Sequence, residues 1–278
     1  MNTNSRKARL GLTGLVARGV LTGVLATVGL AGLADAPAQA ATTRTVKGTV
    51  VCKGGHAVTG VWVQSSNGGS KWASFNRFAG VAHAAYFTAS ITTASSSTSI
   101  RLDIGCGLKS GTTNTWWSNN STPNATVTGS RILNTRCAEA SGNRAVRCTW
   151  PPKGQTVSSN LGAKGWCTYG ALAQWKARAG YYPRTAGDAG YWDNTTATFG
   201  WYVSSVPHVR ALVTFEPSSG SKYGHVAYAT NVVHVGNGKF DVTVIEMNAN
   251  HNGGGFGKYN TFTYRHVPGQ MKYVVSTL

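Results

Sequence analysis

The sequence has 278 residues, with 26 Lys and Arg against eight Asp and Glu, so the formal net charge is +18. A positive excess this large indicates that the protein meets a polyanion, although simple solubility is an alternative explanation. The basic residues are scattered rather than gathered into blocks, and no nucleic-acid-binding motif is present, so we do not expect a nucleic acid partner.

The N-terminus has the three-part layout of a secretory signal peptide. Arg6, Lys7 and Arg9 precede an apolar stretch over residues 19–34, and Ala38-Gln39-Ala40 supplies small residues around a cleavage point. The apolar stretch is too short and too rich in Gly and Ala for a membrane anchor, which needs about 20 apolar residues. We therefore expect a cleaved signal at residues 1–40, no membrane span after cleavage, and an exported protein that meets the anionic polymers of a bacterial cell wall.

The cysteine count predicts two disulfides and one free thiol. Five cysteines are present, and an odd number in an exported protein leaves one unpaired. Cys137 and Cys148 flank a turn-like Ser-Gly-Asn-Arg segment, so a hairpin would place them directly opposite each other at a distance suited to a disulfide. Cys52 would then pair with Cys106, and Cys167 would remain free.

The first part of the chain reads as a small all-β domain, which we place at residues 41–140. It is rich in Val, Thr, Ser and Gly, and short strand-like runs separated by Gly-rich turns predict an antiparallel sandwich. Trp72, Trp116 and Trp117 could stack on sugars, although tryptophans in a small sandwich more often pack in the core. The strand-like runs cover residues 46–52, 61–63, 85–88 and 99–104.

A linker at residues 141–160, which contains the pair Pro151-Pro152, leads into a second domain at residues 161–278. Apolar spacing from Thr168 to Arg178 predicts a helix that Gly180 ends. Strand-like runs then return at residues 211–215, 226–235 and 240–247.

The free cysteine lies at the start of the predicted helix, in Gly165-Trp166-Cys167-Thr168. A helix N-terminus carries partial positive charge and unpaired N–H groups, and both favour the reactive thiolate. The same N–H groups could hold the oxyanion that forms when a thiolate attacks a carbonyl. A buried, inert cysteine is the alternative for this segment taken alone.

His225 and Glu246 are the natural partners of such a cysteine. His225 follows a glycine and opens an apolar strand, where an imidazole can act as a base or have a structural role. Glu246 lies in an otherwise apolar strand, and a buried carboxylate needs a partner such as an imidazolium.

Sheet geometry predicts that these groups share a face. Gly236-Asn237-Gly238 indicates a hairpin turn between the two strands. With a four-residue loop, His225 faces Asn248 and Glu246 faces Ala227, so His225, Glu246 and Asn248 point the same way. A three-residue loop would turn Glu246 and Asn248 to the other face.

A series of motifs carries a family resemblance over about residues 161–266. In chain order they are Gly165-x-Cys167-Thr168, Gly187-Asp188-Ala189-x-x-Trp192, Gly200-Trp201-Tyr202-Val203, Gly224-His225-Val226-Ala227-Tyr228 and Glu246-x-Asn248. Together they resemble the CHAP domain, the cysteine- and histidine-dependent amidohydrolase/peptidase family.

The resemblance implies an α+β, papain-like fold with an antiparallel sheet and a nucleophile helix, preceded by the small all-β domain. It makes Cys167 the nucleophile, His225 the general base, Glu246 the group that orients His225, and Asn248 a supporting polar residue. The implied function is a secreted, wall-associated peptidoglycan hydrolase that cuts an amide bond, as an N-acetylmuramoyl-L-alanine amidase or as a peptide endopeptidase. A non-catalytic wall-binding protein is the alternative.

No cofactor or metal is expected, because the histidines and acids lack zinc-ligand spacing and no Asp-rich calcium loop is present. Two positions depart from the family pattern. Arg210 stands where the family often has glycine before its next strand, and Tyr169 replaces a frequent tryptophan near the nucleophile. Asp188 falls in a family motif, and we assign it a structural role.

Overall fold

The structure is a computed structural model, and it describes residues 40–109, 120–139, 146–218 and 221–277. The described residues belong to one compact unit, Gln39–Leu278. The predicted signal peptide falls outside the described residues except for its last position, and so do Trp116, Trp117 and the turn between Cys137 and Cys148. The predicted domain boundaries stay predictions.

The described residues form nineteen strands and two α-helices, and no helix among them is long and apolar enough to cross a membrane. The strands before the first helix are β1 (Thr42–Cys52), β2 (His56–Ser65), β3 (Lys71–Trp72), β4 (Ser74–Phe78), β5 (Val81–Thr93), β6 (Thr98–Lys109), β7 (Asn120–Ser121), β8 (Ala125–Val127), β9 (Arg131–Ile132), β10 (Thr135–Glu139), β11 (Val146–Thr149) and β12 (Thr156–Val157). The later elements are α1 (Cys167–Ala179), β13 (Tyr182–Pro183), α2 (Trp192–Thr198), β14 (Tyr202–Ser204), β15 (Ala211–Phe215), β16 (His225–His234), β17 (Phe240–Met247), β18 (Tyr259–Arg265) and β19 (Met271–Val275).

The first two sheets pack on a common core. The first sheet has the order β11-β10-β1-β5-β4, with β9 also on β1, and the second sheet has the order β3-β2-β6-β7, with β8 on β6. Apolar side chains of both sheets, such as Val50 and Phe87 from the first and Val61 and Leu102 from the second, are fully buried in one cluster. Alternation of apolar residues along these strands builds that shared core.

Both predicted disulfides are present. Cys52–Cys106 links β1 of the first sheet to β6 of the second, and Cys137 lies opposite Cys148 in the pairing of β10 with β11. The cysteines are 54 and 11 residues apart. By the loop entropy that each removes from the unfolded chain, these bonds contribute about 4 and 3 kcal/mol.

The third sheet carries the second half of the chain and is antiparallel, in the order β14-β19-β15-β16-β17-β18. One face packs against the first sheet, where Phe78 and Tyr86 meet Phe240. The other face packs against α1 through Leu172 and Trp175. The first sheet is therefore covered on both faces, which explains why β1 is buried continuously at its C-terminal end.

The predicted α+β, papain-like class is wrong for this chain, which is mainly β. The two α-helices have 13 and seven residues, and the rest of the regular structure is almost entirely strand. The prediction gave weight to the cysteine-bearing helix implied by the motifs. It underestimated the strands, because the Val- and Thr-rich runs of both halves build three stacked sheets, and the helices of the described residues pack on one outer face of that stack.

The hairpin that carries His225 and Glu246 has an irregularity that the sequence did not reveal. Near its turn His234 pairs with Phe240, so the loop has five residues instead of the predicted four. The register then shifts between Ala229 and Asn231. This bulge restores the predicted pairing, with Tyr228 opposite Ile245. The extra loop residue is compensated, and Glu246 stays on the face of His225.

Candidate active site

Cys167 is the first residue of α1, and the close packing of Gly165 against the Phe256 ring fixes the position of the cysteine. Gly165 has φ +88°, a conformation that favours glycine, and a Cβ there would come within 2.4 Å of the Phe256 ring. The N–H of Gly257 donates to the Gly165 carbonyl at 2.9 Å. The loop around Phe256 therefore holds the turn that presents the cysteine.

His225 is delivered by a second constrained glycine. Gly224 has φ +66°, and a Cβ there would come within 2.4 Å of the Phe215 carbonyl oxygen. His225 opens β16 directly after it, and its ring lies beside the Phe215 ring, with centroids 5.6 Å apart. A side chain at either glycine would displace its neighbour, which is the Phe256 ring at Gly165 and the Phe215 backbone at Gly224.

Cys167 and His225 form a hydrogen-bonded pair, and Cys167 is the free cysteine among the described residues. Burial alone would raise the pKa of the thiol, but the hydrogen bond and charge of His225, with backbone N–H groups of Val226 and Thr168, lower it overall. Burial alone would lower the pKa of His225. The hydrogen bonds and charges of Cys167 and Glu246 outweigh burial and raise the pKa of His225 to about 9. The pair therefore favours thiolate and imidazolium.

Glu246 is the centre of a cluster that we call the carboxylate cluster: Glu246, His225, His251 and Tyr264. The carboxylate is fully buried and accepts hydrogen bonds from His225 Nε2 at 2.9 Å, from the Tyr264 hydroxyl at 2.9 Å, and from His251 Nε2. Burial alone would raise the pKa of Glu246, but His225, then Tyr264 and His251, lower it overall. Since Nε2 of His225 is taken by Glu246, Nδ1 is the ring nitrogen left for Cys167.

The four site residues predicted from the sequence lie together. Cys167, His225 and Asn248 line one cleft of about 600 Å³, and Glu246 lies behind His225. Asn248 has φ +59°, a left-handed conformation that asparagine tolerates better than most residues, and its backbone N–H donates to Lys258. Asp188 is exposed and also lines the cleft.

His251 and Tyr264 are the members of the cluster that sequence reasoning missed. His251 lies in a Gly- and Asn-rich loop, where no periodicity indicates which way a side chain points. Tyr264 could have been found, because β17 pairs with β18 and Glu246 faces Asn260, four residues before Tyr264 and so on the same face. Its hydroxyl also lies 3.0 Å from Nε2 of His251.

The cleft has aromatic walls and a neighbouring depression. Trp166 and Tyr223 are each about half exposed at its rim, and the Trp166 ring packs edge-on against Phe256. A second cavity of about 380 Å³ shares His225 and Asn248 with the cleft and extends past His251. The reacting groups thus lie where two depressions meet, an arrangement suited to an extended chain.

Among the described residues, the sulfurs of Cys52, Cys106 and Cys137 lie within 4.8 Å of one another, which is close enough for a shared metal ion. All three belong to disulfides, so none offers the thiolate that a metal would need. That group of sulfurs belongs to the core of the sandwich.

Comparisons with known proteins agree with the motifs. The staphylococcal secretory antigen SsaA of Staphylococcus aureus (strain NCTC 8325 / PS 47) is 30% identical over 143 residues, which are 51% of this chain and 50% of SsaA. The secretory antigen ssaA1 of strain COL matches with the same figures, so this chain spans about half the length of these relatives.

A crystal structure of an N-acetylmuramoyl-L-alanine amidase from Staphylococcus aureus is 23% identical and covers 43% of this chain and 34% of that chain. The TM-score between the two structures is 0.34. The family model of the CHAP domain matches residues 157–248, the stretch that holds Cys167, His225, Glu246 and Asn248. The chain therefore contains a CHAP domain, as the motif series predicted.

Proposed function

We propose that this protein is a peptidoglycan hydrolase that cuts an amide bond with Cys167 as nucleophile. The observation that carries the proposal is the thiol at the first residue of α1, hydrogen-bonded to His225, which in turn is bonded to the buried Glu246. A nucleophile, a base and a group that orients the base are the parts that covalent amide hydrolysis requires.

The mechanism begins from the thiolate–imidazolium pair. The thiolate attacks the amide carbonyl carbon and forms a C–S bond, and the backbone N–H of Cys167 receives the oxyanion. His225 gives its proton to the leaving nitrogen as the C–N bond breaks. Water, deprotonated by His225, then hydrolyses the thioester and releases the acid and the thiolate. Glu246 keeps the ring oriented and balances its charge, and Asn248 supports the substrate beside it.

The cleft fits a glycopeptide substrate. Half-exposed Trp166 and Tyr223 offer faces on which apolar sugar surfaces can pack, while the depression past His225 leaves room for the chain beyond the scissile bond. Either the amide between muramic acid and L-alanine or a peptide bond of the stem or cross-bridge can be presented in this way.

Export to the cell wall is part of the proposal. The basic, apolar and small-residue segments of residues 1–40 have the form of a signal peptide. Two disulfides suit an oxidising compartment, and the relatives of this chain are secretory antigens. We expect a secreted protein associated with peptidoglycan and anionic wall polymers.

The test is digestion of purified cell walls by the wild-type protein and by Cys167→Ala, with mass spectrometry of the released fragments. We expect the wild type to release fragments and the variant to release essentially none while keeping the wild-type unfolding temperature. A freed lactyl group on muramic acid identifies an amidase, and a freed amino acid terminus within the peptide identifies an endopeptidase.

Alkylation by iodoacetamide gives an independent measure of the thiolate. Cys167 should react faster below pH 7 than an ordinary thiol, because its pKa is lowered. Wall digestion by Cys167→Ala at the wild-type rate would show that another group is the nucleophile. A protein that binds walls without releasing fragments would instead be the non-catalytic alternative.

A further inference from the structure

A second site lies at the other end of α1, away from the cleft. We call it the basic groove and define it by Lys47, Arg131, Arg178 and Arg210. The groove measures about 570 Å³, and none of its lining residues in the described part of the chain is acidic. Four cations therefore face one space without a counter-charge of the protein.

Both halves of the chain build this groove. Lys47 comes from β1 and Arg131 from β9 of the first sheet, whereas Arg178 comes from the last turn of α1. Arg210 lies in the loop before β15, and Asn134 Nδ2 donates to the neighbouring carbonyl of Val209 at 2.9 Å. The loop is thus fastened to the first sheet, so the charges are held in place.

Two cations of the groove have hydrogen-bond partners within the protein, since Arg178 donates to Gln174 and Lys47 Nζ donates to Asn231 Oδ1 at 3.2 Å, but in the described part of the chain Arg131 keeps an unpaired donor. Arg131 Nε is buried and has no hydrogen-bond partner among the described residues. Burial, and then the charge of Arg210, lower the pKa of Arg131, so these two guanidinium groups repel each other. The charges of Arg178 and Arg210 both act on the buried Tyr228 hydroxyl. A half-buried guanidinium with an unpaired donor, as at Arg131, is unfavourable unless a ligand completes the site.

Arg210 also has a backbone conformation that its residue type disfavours. Its φ is +63°, in the left-handed region, and it is not one of the asparagines or glycines that usually occupy that region. A glycine would relieve the strain but would remove a charge from the groove. Strain that persists beside unpaired charges is typical of a binding site.

We propose that the basic groove binds the phosphodiester backbone of an anionic polyol-phosphate polymer of the cell wall. Guanidinium groups match phosphate oxygens with paired N–H donors. The groove is larger than one phosphate, and the hydroxyl side chains of Thr45, Ser130 and Thr230 on its walls can bond the polyol. Its aromatic residue, Tyr228, is 1% exposed and offers no face for stacking a base, which disfavours single-stranded nucleic acid.

The groove and the cleft can be occupied at the same time. Arg178 follows Cys167 by eleven residues of one helix, so the two lie roughly 16 Å apart along its axis. A polymer held at the groove would keep the protein on the wall while the cleft reacts with peptidoglycan.

The test is a titration of the full chain, carrying Cys167→Ala so that nothing is hydrolysed, with a glycerol-phosphate oligomer followed by calorimetry. Arg131→Gln and Arg210→Gly should each weaken binding about tenfold or more, the effect of losing one charge-assisted contact. Lys71→Gln is the matched control, because it removes one positive charge from the exposed strand β3, away from the groove. It should change the affinity less than about twofold.

Arg210→Gly keeps the test independent of misfolding, because glycine suits the left-handed backbone and the unfolding temperature should stay the same or rise. If Lys71→Gln lost as much affinity as the groove variants, the binding would depend on the net charge of the protein and not on the groove, and the proposal would be overturned. Unchanged binding in both groove variants would also overturn it. Tighter, groove-dependent binding of DNA would show that the ligand class is wrong. None of these outcomes bears on hydrolysis, which is measured separately.

Discussion

The carboxylate cluster and the basic groove differ in where their charged groups find hydrogen-bond partners. In the cluster one carboxylate, fully buried at Glu246, receives hydrogen bonds from three side chains of the same protein. In the groove four cations face a shared space, and the buried Arg131 Nε has no partner among the described residues. The cluster is complete without a ligand, whereas the groove would be completed by one.

This difference separates two uses of charge. A charge that acts on another side chain must be fixed before substrate arrives, so its partners come from the protein. A charge that acts on a ligand must keep at least one hydrogen-bonding group without a protein partner, as Arg131 does among the described residues. The contrast gives each region its own response to substitution: damage to the cluster should reduce turnover, and damage to the groove should reduce binding while leaving stability intact or improved.

Glu246→Gln should have the largest effect. The amide cannot balance the charge of His225, so we expect kcat/KM on cell walls to fall by about 100-fold or more. Because Glu246 helps to raise the pKa of His225 to about 9, the alkaline limb of the pH profile should also move to lower pH. The measurement is wall-digestion rate against pH.

Asp241→Asn is the control for that substitution. Asp241 lies on the same strand, β17, but is bonded to Arg265 at the surface instead of to the site. Its variant should digest walls at the wild-type rate and with the wild-type pH profile. A Glu246→Gln enzyme with unchanged kcat/KM would remove the carboxylate from the mechanism.

His208 lies two residues before Arg210. It tests what a buried titratable group without a hydrogen-bond partner does to stability, in contrast to the fully bonded Glu246. It is fully buried, neither ring nitrogen has a partner among the described residues, and burial lowers its pKa to about 3 from 6.5. Between those values the unfolded chain binds a proton that the folded chain cannot, so stability falls as pH drops from about 6.5 toward 3. His208→Leu should remove this loss.

The expected difference in unfolding free energy between pH 7 and pH 4 is about 3 kcal/mol smaller in His208→Leu than in the wild type. Urea unfolding at both pH values measures it. His83→Gln replaces a less buried histidine of β5 and should keep the acid sensitivity of the wild type. An unaltered pH dependence in His208→Leu would mean that His208 is hydrated or paired in solution.

Tyr264→Phe should have a smaller effect on turnover. It removes one of three donors to Glu246 without changing ring packing, so we expect kcat/KM to fall about tenfold. The alkaline limb should shift as well, which a loss of stability alone would not produce. Tyr273→Phe is the matched control, since its hydroxyl bonds His266 instead of the cluster. Equal activities in the two variants would reject a positioning role for Tyr264.

The sequence predicted local features of both regions better than long-range ones. The helix that begins at Cys167, its end at Gly180 and the shared face of His225 and Glu246 follow from periodicity and alternation. The bulge near Thr230 was invisible, because it depends on how the five-residue loop closes. His251 was missed because it reaches Glu246 from an irregular loop.

The fold class and the basic groove were unpredictable for a related reason. The third sheet packs on the first through side chains such as Phe240 and Phe78, far apart in the chain, and no local pattern records that stacking. The four cations of the groove are likewise brought together only by tertiary structure. Arg210 alone left a signal, since it replaces a glycine expected from the CHAP resemblance, and that departure falls on a positive φ.

Arg210→Gly should give the smallest of these effects. The sign of its change in stability decides whether Arg210 is held by contacts within the protein. The substitution removes a left-handed arginine and its repulsion of Arg131, while glycine adds freedom to the unfolded chain, so we expect a net gain of about 0.5–1 kcal/mol. Urea unfolding at pH 7 measures the gain. Asn237→Gly is the comparison, because Asn237 also has positive φ but tolerates it, and its gain should be smaller. A destabilised Arg210→Gly would mean that the arginine is held by contacts within the protein, and the groove would then resemble the carboxylate cluster instead of differing from it.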